Sequence, residues 1–391
     1  MNAPHIISLG CRMNLAESER MRAMLAGETN LVVVNSCAVT GEALRQTRQA
    51  IRRARRDHPA ARLVVTGCAA EIDRTEIGAM DEVDGLVANA AKLDPRSWNI
   101  PGRAPPVAPA RTRAFVAVQN GCDHACTFCV IPQGRGPSRS LSVGEVVRDV
   151  EAHLAAGAQE VVLTGVDLTS WGHDLAGAPR LGTLIEAILS ALPALPRLRL
   201  SSVDGIEIDP LLFDLLAHEA RVMPNLHLSL QHGADLILKR MKRRHLRRNA
   251  IELVAQLKVL RPDITIGADL IAGFPTEDDS HHQANLAIID DLDIVHAHIF
   301  PYSPRPGTPA AKMPQVPREV VRARAAALRT RAASRRAEWL ASLVGETLPV
   351  LAERDGTGYA PNYARVALPP GTAPGAIVDV TVREVREGLL V

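Results

Sequence analysis

The chain has 391 residues, with 45 Lys and Arg against 43 Asp and Glu, and a formal net charge of +2. Apolar residues make up 47% and charged residues 23%, a balance that excludes a disordered or collagen-like chain. The length predicts two or three domains, and the near-neutral charge does not by itself indicate a nucleic-acid partner.

The sequence shows no basic stretch followed by an apolar run of signal length, and no window of about 18 uninterrupted apolar residues. We therefore expect a cytoplasmic protein with no membrane segment. Its 6 cysteines are too few for a disulfide scaffold in a chain of this length. In a reducing compartment, clustered cysteines indicate metal or redox chemistry.

Residues 1–100 are predicted to form a small parallel α/β domain. Short apolar runs at 6–9, 31–34 and 63–66 alternate with helical patterns such as 42–56. Cysteines follow all three strands, and each precedes a helix: Cys11, Cys37 and Cys68. Because carboxyl ends of parallel strands meet at one edge, we expect the three thiols to converge and bind metal there. The alternative is three buried, inert thiols.

A linker is predicted at residues 94–113, since prolines at 95, 101, 105, 106 and 109 interrupt any helix or central strand. After it, the strand pattern recurs six times, with helical segments between the strands. The predicted strands are 115–118, 161–164, 198–201, 226–230, 264–271 and 294–300. Six βα units with right-handed crossovers favour a partial (β/α)6 barrel over 112–340, with its chemistry at the carboxyl ends of the strands.

The end of the chain changes character. An Ala- and Arg-rich helical pattern at 314–342 is expected to close or cap the barrel. Residues 344–391 are predicted to form short strands between Gly and Pro turns. This pattern predicts a small OB-like β-barrel. The fold class is therefore α/β, with a separate β domain at the end.

Three further cysteines, Cys122, Cys126 and Cys129, lie in the loop QNGCDHACTFCVIPQGRG, directly after the first barrel strand. Three thiolates on one short loop can ligate three irons of a four-iron cluster and leave the fourth iron open to a small molecule. A zinc site is the alternative, but it needs a fourth ligand, which His124 would supply only with poor loop geometry.

This CxxxCxxC loop resembles that of the radical S-adenosylmethionine (SAM) superfamily. The resemblance implies that SAM binds the open iron and is cleaved to methionine and a 5′-deoxyadenosyl radical. With the first cysteine trio and the β tail, the chain is similar to the methylthiotransferases. The segments GCRMNLAESER, NSCAVTGEALRQTRQAIRR, QNGCDHACTFCVIPQGRG and FPYSPRPGTPAA are most similar to the branch acting on threonylcarbamoyladenosine in tRNA.

The resemblance implies two 4Fe-4S clusters, the auxiliary one at Cys11, Cys37 and Cys68 holding the sulfur. It implies a tRNA substrate, methylthio insertion at C2 of N6-threonylcarbamoyladenosine next to the anticodon, and an electron donor such as a flavodoxin or ferredoxin. We expect a monomer. Three alternatives remain open: an isopentenyladenosine substrate, a ribosomal protein substrate, and a non-catalytic iron-sulfur RNA-binding protein.

Several residues are candidate SAM contacts. The resemblance places LTGVDLTSWG where the methionine amino group is received, so that Gly165 permits backbone approach and Asp167 pairs with the ammonium. Ser229 and Gln231 end a strand facing the ribose, and Arg243 is available for the carboxylate. Two more candidate SAM contacts are Phe128, beside the third cysteine, and Asp269, near the barrel interior. Asp269 can equally be a structurally paired carboxylate.

Two elements are candidate RNA contacts. Arg45, Arg48 and Arg52 recur on one face of the helix at 42–56 and can meet phosphates, the alternative being a solvated helix face. The tail sequence GYAPNYARV resembles the GY-x-PNY element of TRAM-like RNA-binding domains. That resemblance assigns Tyr359, Asn362 and Tyr363 to RNA binding.

Overall fold

The computed structural model describes residues 4–100 and 112–391. Most of the proline-rich linker therefore lies outside the described residues. Within the described ranges, no helix is both long enough and apolar enough to cross a membrane.

The first part of the chain is a parallel four-stranded sheet in the order β1-β2-β3-β4, with helices on both faces. Its elements are β1 His5–Ser8, α1 Arg12–Met24, β2 Leu31–Ser36, α2 Gly41–Asp57, β3 Arg62–Gly67, α3 Cys68–Ile72, α4 Arg74–Gly78 and β4 Gly85–Leu86. Val33 and Val64 pack toward α1, whereas Val34 and Val65 pack toward α2. Thr40 caps the amino end of helix α2, because its side chain accepts a hydrogen bond from the Ala43 amide.

The middle of the chain alternates strands and helices, as the sequence predicts. Its elements are β5 Arg113–Ala117, β6 Gln119–Asn120, α5 Ile131–Arg135, β7 Arg139–Ser140, α6 Val143–Ala155, β8 Glu160–Thr164, α7 Leu181–Ala191, β9 Arg197–Leu200, β10 Ser202–Val203, α8 Pro210–His218, β11 Asn225–Gln231, α9 Asp235–Arg240, α10 Arg247–Leu260, β12 Thr265–Ala272, α11 Asp279–Asp291, β13 Ile294–Pro301 and α12 Arg318–Ser342.

The middle strands form two parallel sheets, β5-β8-β9 and β10-β11-β12-β13, and only Ser201 separates β9 from β10. The α/β fold with parallel strands is confirmed. Alternate residues such as Leu228, Ala268 and Ile299 pack with the outer helices. The residues between them therefore face the concave side, where most are polar. Helix α12 packs on β13 through Leu328.

The tail is a six-stranded sheet in the order β17-β14-β15-β16-β19-β18. Its strands are β14 Thr347–Ala352, β15 Thr357–Tyr359, β16 Arg365–Ala367, β17 Ile377–Thr381, β18 Val385–Arg386 and β19 Leu389–Leu390. All pairings are antiparallel except β16 with β19. Val350, Val366 and Leu390 form its core together with Leu340 of α12, so the long helix joins the two domains.

The turn between β15 and β16 packs against the amino ends of the barrel strands. Arg199 of β9 donates to the Pro361 carbonyl at 3.0 Å, and the Thr265 hydroxyl donates to the Asn362 carbonyl at 2.8 Å. The Arg199 guanidinium lies 4.8 Å from the centre of the Tyr363 ring, which stacks on Tyr359 at 4.9 Å.

This packing involves the three residues that the resemblance assigns to RNA binding. Asn362 is buried, and the half-buried rings of Tyr359 and Tyr363 pack on cationic side chains of the barrel. Contact of these residues with RNA stays a prediction. Arg12, the residue after Cys11, donates to the Tyr363 hydroxyl at 3.0 Å. The GYAPNY segment therefore joins the tail to the barrel and to α1.

We expect Tyr363→Ala to lower the free energy of unfolding by about 3 kcal/mol, because it removes a half-buried ring and leaves Arg199 without its aromatic partner. Tyr363→Phe is the matched control, since it keeps the ring and removes only the hydroxyl, which interacts with Arg12 and Arg113. Each hydrogen bond lost is worth about 1 kcal/mol. Chemical unfolding of the two variants measures the difference. Equal stability of Tyr363→Ala and the wild type would contradict this role of the ring.

Candidate active site at two cysteine trios

The loop with Cys122, Cys126 and Cys129 crosses the carboxyl end of the barrel strands. Gly121 has a φ of +77°, and a Cβ there would lie 1.9 Å from the Pro137 carbonyl oxygen, so this position requires glycine. The Cys122 amide donates to the Gly136 carbonyl at 3.1 Å, and the Thr127 amide donates to the Met241 carbonyl at 3.1 Å. These bonds fix the loop at both of its ends.

Gln119 ties this loop to the end of β8, a role that sequence reasoning missed. Its Oε1 accepts from the amides of Val166 at 3.0 Å and Asp167 at 2.9 Å, and its Nε2 donates to the Gly121 carbonyl at 2.8 Å. A Cβ on Gly165 would lie 3.0 Å from the same Oε1. The close approach that Gly165 permits in this structure is therefore to Gln119.

Asp167 pairs with His124 of the cysteine loop. The His124 Nε2 lies 2.5 Å from Asp167 Oδ2, Ser170 donates to the same oxygen at 2.7 Å, and Cys122 Sγ is 3.8 Å away. Burial opposes ionisation of Asp167, but the hydrogen bonds from His124 and Ser170 outweigh it and lower its pKa. The ligand atoms of Cys122, His124 and Asp167 lie within 4.8 Å of one another, so His124 is close to one cysteine of the loop. Its poor geometry as a fourth ligand to all three cysteines stays a prediction.

Arg243, a candidate SAM contact, lies on the side of the loop that carries Cys126. Its guanidinium donates to Cys126 Sγ at 3.7 Å, to Asp204 Oδ2 at 2.8 Å and to the Ser229 carbonyl at 2.8 Å. The Nε of Arg243 and the Oδ1 of Asp204 are buried without hydrogen-bond partners. Both polar atoms are therefore available to bind a ligand beside Cys126. Asp204 was missed from the sequence.

Gln231 and Phe128, two other predicted SAM contacts, differ in what holds them: Gln231 has an unusual backbone conformation, and Phe128 packs on another ring. Gln231 has a φ of +72° at the end of β11, and the pairing of β11 with β12 shifts register between Leu228 and Gln231. Phe128 packs edge-on against Phe274, with ring centres 6.3 Å apart. The Phe128 ring thus helps to seat the loop on the barrel.

Two of the three thiols of the loop, those of Cys122 and Cys129, have raised pKa values. Burial raises the pKa of Cys122 to about 12 and that of Cys129 to about 11. The Cys122 sulfur accepts from the His124 amide and the Cys129 sulfur from the Ile131 amide, both at 3.4 Å. These amides stabilise the thiolates that metal binding creates.

The first trio converges at one edge of the first sheet, as predicted. Cys37 and Cys68 are buried, whereas Cys11 is exposed. Gly10 has a φ of +89°, and a Cβ there would lie 2.7 Å from Cys37 Sγ. Burial raises the pKa of both Cys37 and Cys68, and the neighbouring thiols of the trio raise it further.

The two trios face each other. Gly134, five residues after Cys129, has no side chain, and a Cβ there would lie 3.4 Å from the Cys68 Cβ. Asn89 bridges the same contact, because its Nδ2 donates to the Gly134 carbonyl at 2.5 Å and lies 3.9 Å from Cys68 Sγ. The charge of Cys68 contributes to the raised pKa of Cys129, which also shows their proximity.

A buried network of charges lies beside the first trio. Lys92 is 2.6 Å from Glu17 Oε2, and Arg135 of α5 is 3.0 Å from Glu17 Oε1; the Lys92 and Arg135 side chains are each 1% exposed. Arg135 also donates to Asn14 at 2.6 Å and to Asn120 at 2.8 Å. Two cations against one carboxylate leave a net positive charge next to the thiols.

The spacing of the donor groups bears on whether either cysteine trio could hold a single ion. Among residues 4–100 and 112–391, the groups with ion-sized spacing are Cys122-His124-Asp167 and His227-Asp269-His298. Neither group contains a cysteine trio, so neither trio gathers its sulfurs around one zinc ion. Cys122 and Cys129 accept from backbone amides, and the first trio lies beside the buried cations Lys92 and Arg135. Both features favour thiolates, which are the ligands of iron-sulfur groups.

The three arginines of α2 that are candidate RNA contacts have acidic partners. Arg45 lies 2.5 Å from Glu42, Arg48 pairs with Glu76, and Arg52 lies 3.7 Å from Glu82. These pairs reduce the positive charge of the surface. Contact of Arg45, Arg48 and Arg52 with RNA stays a prediction.

Comparison with known families matches two parts of the chain. Residues 116–286 match the radical SAM superfamily, and residues 4–88 match the uncharacterized protein family UPF0004. The two matches meet at the contact between the trios. In solved structures, the fold is similar to the radical S-adenosylmethionine methyltransferase TsrM from Kitasatospora setae, with a TM-score of 0.53, 18% identity, and 75% of this chain and 66% of that chain covered.

Curated relatives cover nearly the whole chain. The threonylcarbamoyladenosine tRNA methylthiotransferase MtaB of Rickettsia prowazekii is 40% identical over 98% of this chain and 96% of its own length. The MtaB of Aquifex aeolicus is 32% identical over 96% and 98%. The tRNA-2-methylthio-N(6)-dimethylallyladenosine synthase of Erythrobacter litoralis is 33% identical over 89% and 86%.

Proposed function

The chain belongs to the radical SAM methylthiotransferase family, and we propose that it inserts a methylthio group at C2 of N6-threonylcarbamoyladenosine next to the anticodon of tRNA. The observation that carries this is the 40% identity to the Rickettsia enzyme over nearly all of both chains. It exceeds the 33% identity to the dimethylallyladenosine synthase. The chain is therefore an enzyme and not a non-catalytic binding module.

A 4Fe-4S cluster and SAM come with the radical SAM superfamily. We assign the cluster to Cys122, Cys126 and Cys129; when bound, it supplies the electron that cleaves SAM. The chain's own residues position the site: Gln119 holds the loop against β8, while Arg243 and Asp204 offer polar atoms beside Cys126.

We assign a second cluster to Cys11, Cys37 and Cys68. Lys92 and Arg135 support it, because their charges stabilise thiolates that burial disfavours. The contact of Cys68 with Gly134 brings this trio to the mouth of the barrel. A sulfur carried here would be delivered to a nucleotide held over the barrel opening.

The tail domain and the electron donor are also part of the proposed function. The strand pairing of the tail and its GY-x-PNY sequence support a TRAM-like OB domain at 344–391. Since the GYAPNY segment packs on the barrel, RNA would meet other surfaces of that domain. We also propose a cytoplasmic monomer that takes electrons from a flavodoxin or ferredoxin.

Nucleoside analysis of tRNA from a deletion strain tests the proposed function. We expect 2-methylthio-N6-threonylcarbamoyladenosine to disappear and the unmethylthiolated nucleoside to accumulate. The wild-type gene should restore the product, and the Cys126→Ala gene, as the matched control, should not. Loss of a methylthiolated isopentenyladenosine, or of a modified ribosomal protein, would contradict the proposal.

A further inference from the structure

Three side chains on the concave face of the barrel form a cluster of their own. His227 of β11, Asp269 of β12 and His298 of β13 lie on neighbouring strands. His227 Nε2 lies 3.1 Å and His298 Nδ1 lies 3.0 Å from the same oxygen, Asp269 Oδ1. One nitrogen or oxygen of each residue lies within 4.8 Å of those of the other two. We call these three residues the His-Asp-His cluster.

The pairing of the strands brings the cluster together. Asp269 pairs directly with His298, whereas His227 pairs with Gly267, two residues before Asp269. Because positions 267 and 269 share one face of β12, a side chain at 267 would stand between His227 and Asp269. A Cβ on Gly267 would lie 2.3 Å from His227 Nδ1. Glycine at this position therefore allows the imidazole to cross the strand and to direct Nε2 at the carboxylate.

The spacing of the cluster matches the coordination shell of one metal ion. Imidazole nitrogens and carboxylate oxygens bind Zn²⁺ at about 2.0 to 2.2 Å, so two such atoms at a right angle around the ion are about 3.0 Å apart. The two nitrogen–oxygen distances of the cluster are 3.1 and 3.0 Å. The ring centres of His227 and His298 are 4.7 Å apart, which suits two imidazoles at adjacent positions of one ion.

An ion can reach the cluster from the side of His298. The His298 side chain is 59% exposed, against 21% for Asp269 and 12% for His227. Each imidazole binds a metal ion as the neutral ring, with its proton on the nitrogen that faces away from Asp269. The site therefore needs no protonated histidine, and the two neutral rings and the carboxylate each offer a lone pair to a cation.

We propose that the His-Asp-His cluster binds one divalent ion of the first transition series, such as Zn²⁺ or Fe²⁺, for which imidazole is a favourable ligand. Two histidines and one carboxylate leave further coordination positions for water or another ligand. The other group with ion-sized spacing includes Cys122, which the proposed function assigns to an iron-sulfur cluster. The His-Asp-His cluster contains no cysteine, so its ion is a third metal centre, and its binding does not depend on which nucleotide is modified.

Titration of Zn²⁺ into the enzyme loaded with both iron-sulfur clusters tests the proposal, because the clusters then occupy the thiols. We expect isothermal titration calorimetry to show one Zn²⁺ bound per wild-type chain. Excess Mg²⁺ should not displace it, because Mg²⁺ prefers oxygen ligands. The iron content, measured before and after the titration, should stay constant.

Two variants remove one ligand each. In His298→Gln the affinity for Zn²⁺ should fall about a hundredfold or more, since losing a direct ligand costs more than losing an outer contact. Because His298 is exposed, this variant should fold and keep its iron. Asp269→Asn keeps the shape of the side chain and removes its charge, and it should weaken binding of Zn²⁺ likewise.

His218→Gln is the matched control, because His218 also lies near an aspartate, 3.8 Å from Asp214, and both side chains are exposed. It should bind Zn²⁺ as the wild type does. Zn²⁺ should raise the melting temperature of the wild type and of His218→Gln, and not that of His298→Gln. A wild-type chain that binds no Zn²⁺ would overturn the inference, as would equal affinities for Zn²⁺ in the wild type and in His298→Gln.

Discussion

Replacing Cys126 with alanine is expected to abolish cleavage of SAM, whereas replacing Cys37 should spare part of the cleavage and stop sulfur insertion. The reason is that the two trios hold different clusters in the proposed function. Cys37 is the better choice in the first trio, because Cys68 packs against Gly134 and its loss would disturb both sites. Anaerobic assays of 5′-deoxyadenosine and of methylthiolated RNA separate the two activities.

Iron content provides a readout that does not depend on activity. Each variant should lose about half of the iron of the reconstituted wild type, if each trio binds one four-iron cluster. His218→Gln is the control, because His218 is an exposed histidine at the end of α8. This variant should keep the full iron content and both activities. Equal loss of SAM cleavage in Cys126→Ala and Cys37→Ala would contradict the assignment of SAM cleavage to one trio and of sulfur insertion to the other.

The strands and helices could be predicted from the sequence because their signals are local. The apolar run at 161–164 predicted a strand, and the structure has β8 Glu160–Thr164 there. The helical pattern at 42–56 corresponds to α2 Gly41–Asp57. The convergence of Cys11, Cys37 and Cys68 followed from the same patterns, since parallel strands place their carboxyl ends at one edge. Local periodicity was sufficient for these features.

The polar contacts across domains could not be predicted, because no local pattern encodes them. The GYAPNY segment suggested RNA binding, yet Tyr363 packs on Arg199, which lies 164 positions earlier in the chain. Gln119 carries no motif, and its role depends on the register of β5 with β8. The arginines of α2 are regularly spaced, but their acidic partners Glu76 and Glu82 follow the helix in sequence.

The buried network beside the first trio joins the two domains through Arg135. Glu17 of α1 is 3% exposed and is bound by Arg135 on one oxygen and Lys92 on the other. Removing one partner of a buried ion pair costs about 3 to 5 kcal/mol, because the remaining charge is left without compensation. We therefore expect Arg135→Met to destabilise the docking of the first domain on the barrel and to lower the melting temperature.

Arg96→Met is the matched control, because Arg96 is 89% exposed and its ion-pair partner among the described residues is Asp94, two residues away. Its melting temperature should match that of the wild type. Limited proteolysis should cleave between the two domains faster in Arg135→Met than in Arg96→Met. Identical melting and cleavage in the two variants would show that the network does not hold the domains together.

The same network predicts a pH dependence with a definite sign. Burial alone would raise the pKa of Glu17, but the charges of Lys92 and Arg135 outweigh it and lower the pKa below the ordinary 4.5. A carboxylate with a lowered pKa in the folded state adds stability above its unfolded pKa, and this stability is lost as the pH falls through the folded value. In Arg135→Met one of the two cations is gone, so the pKa of Glu17 rises and the acid-induced loss should begin at a higher pH than in the wild type. Acid unfolding curves of Arg135→Met, Arg96→Met and the wild type measure this shift, and coincident curves would mean that Arg135 does not stabilise the Glu17 carboxylate.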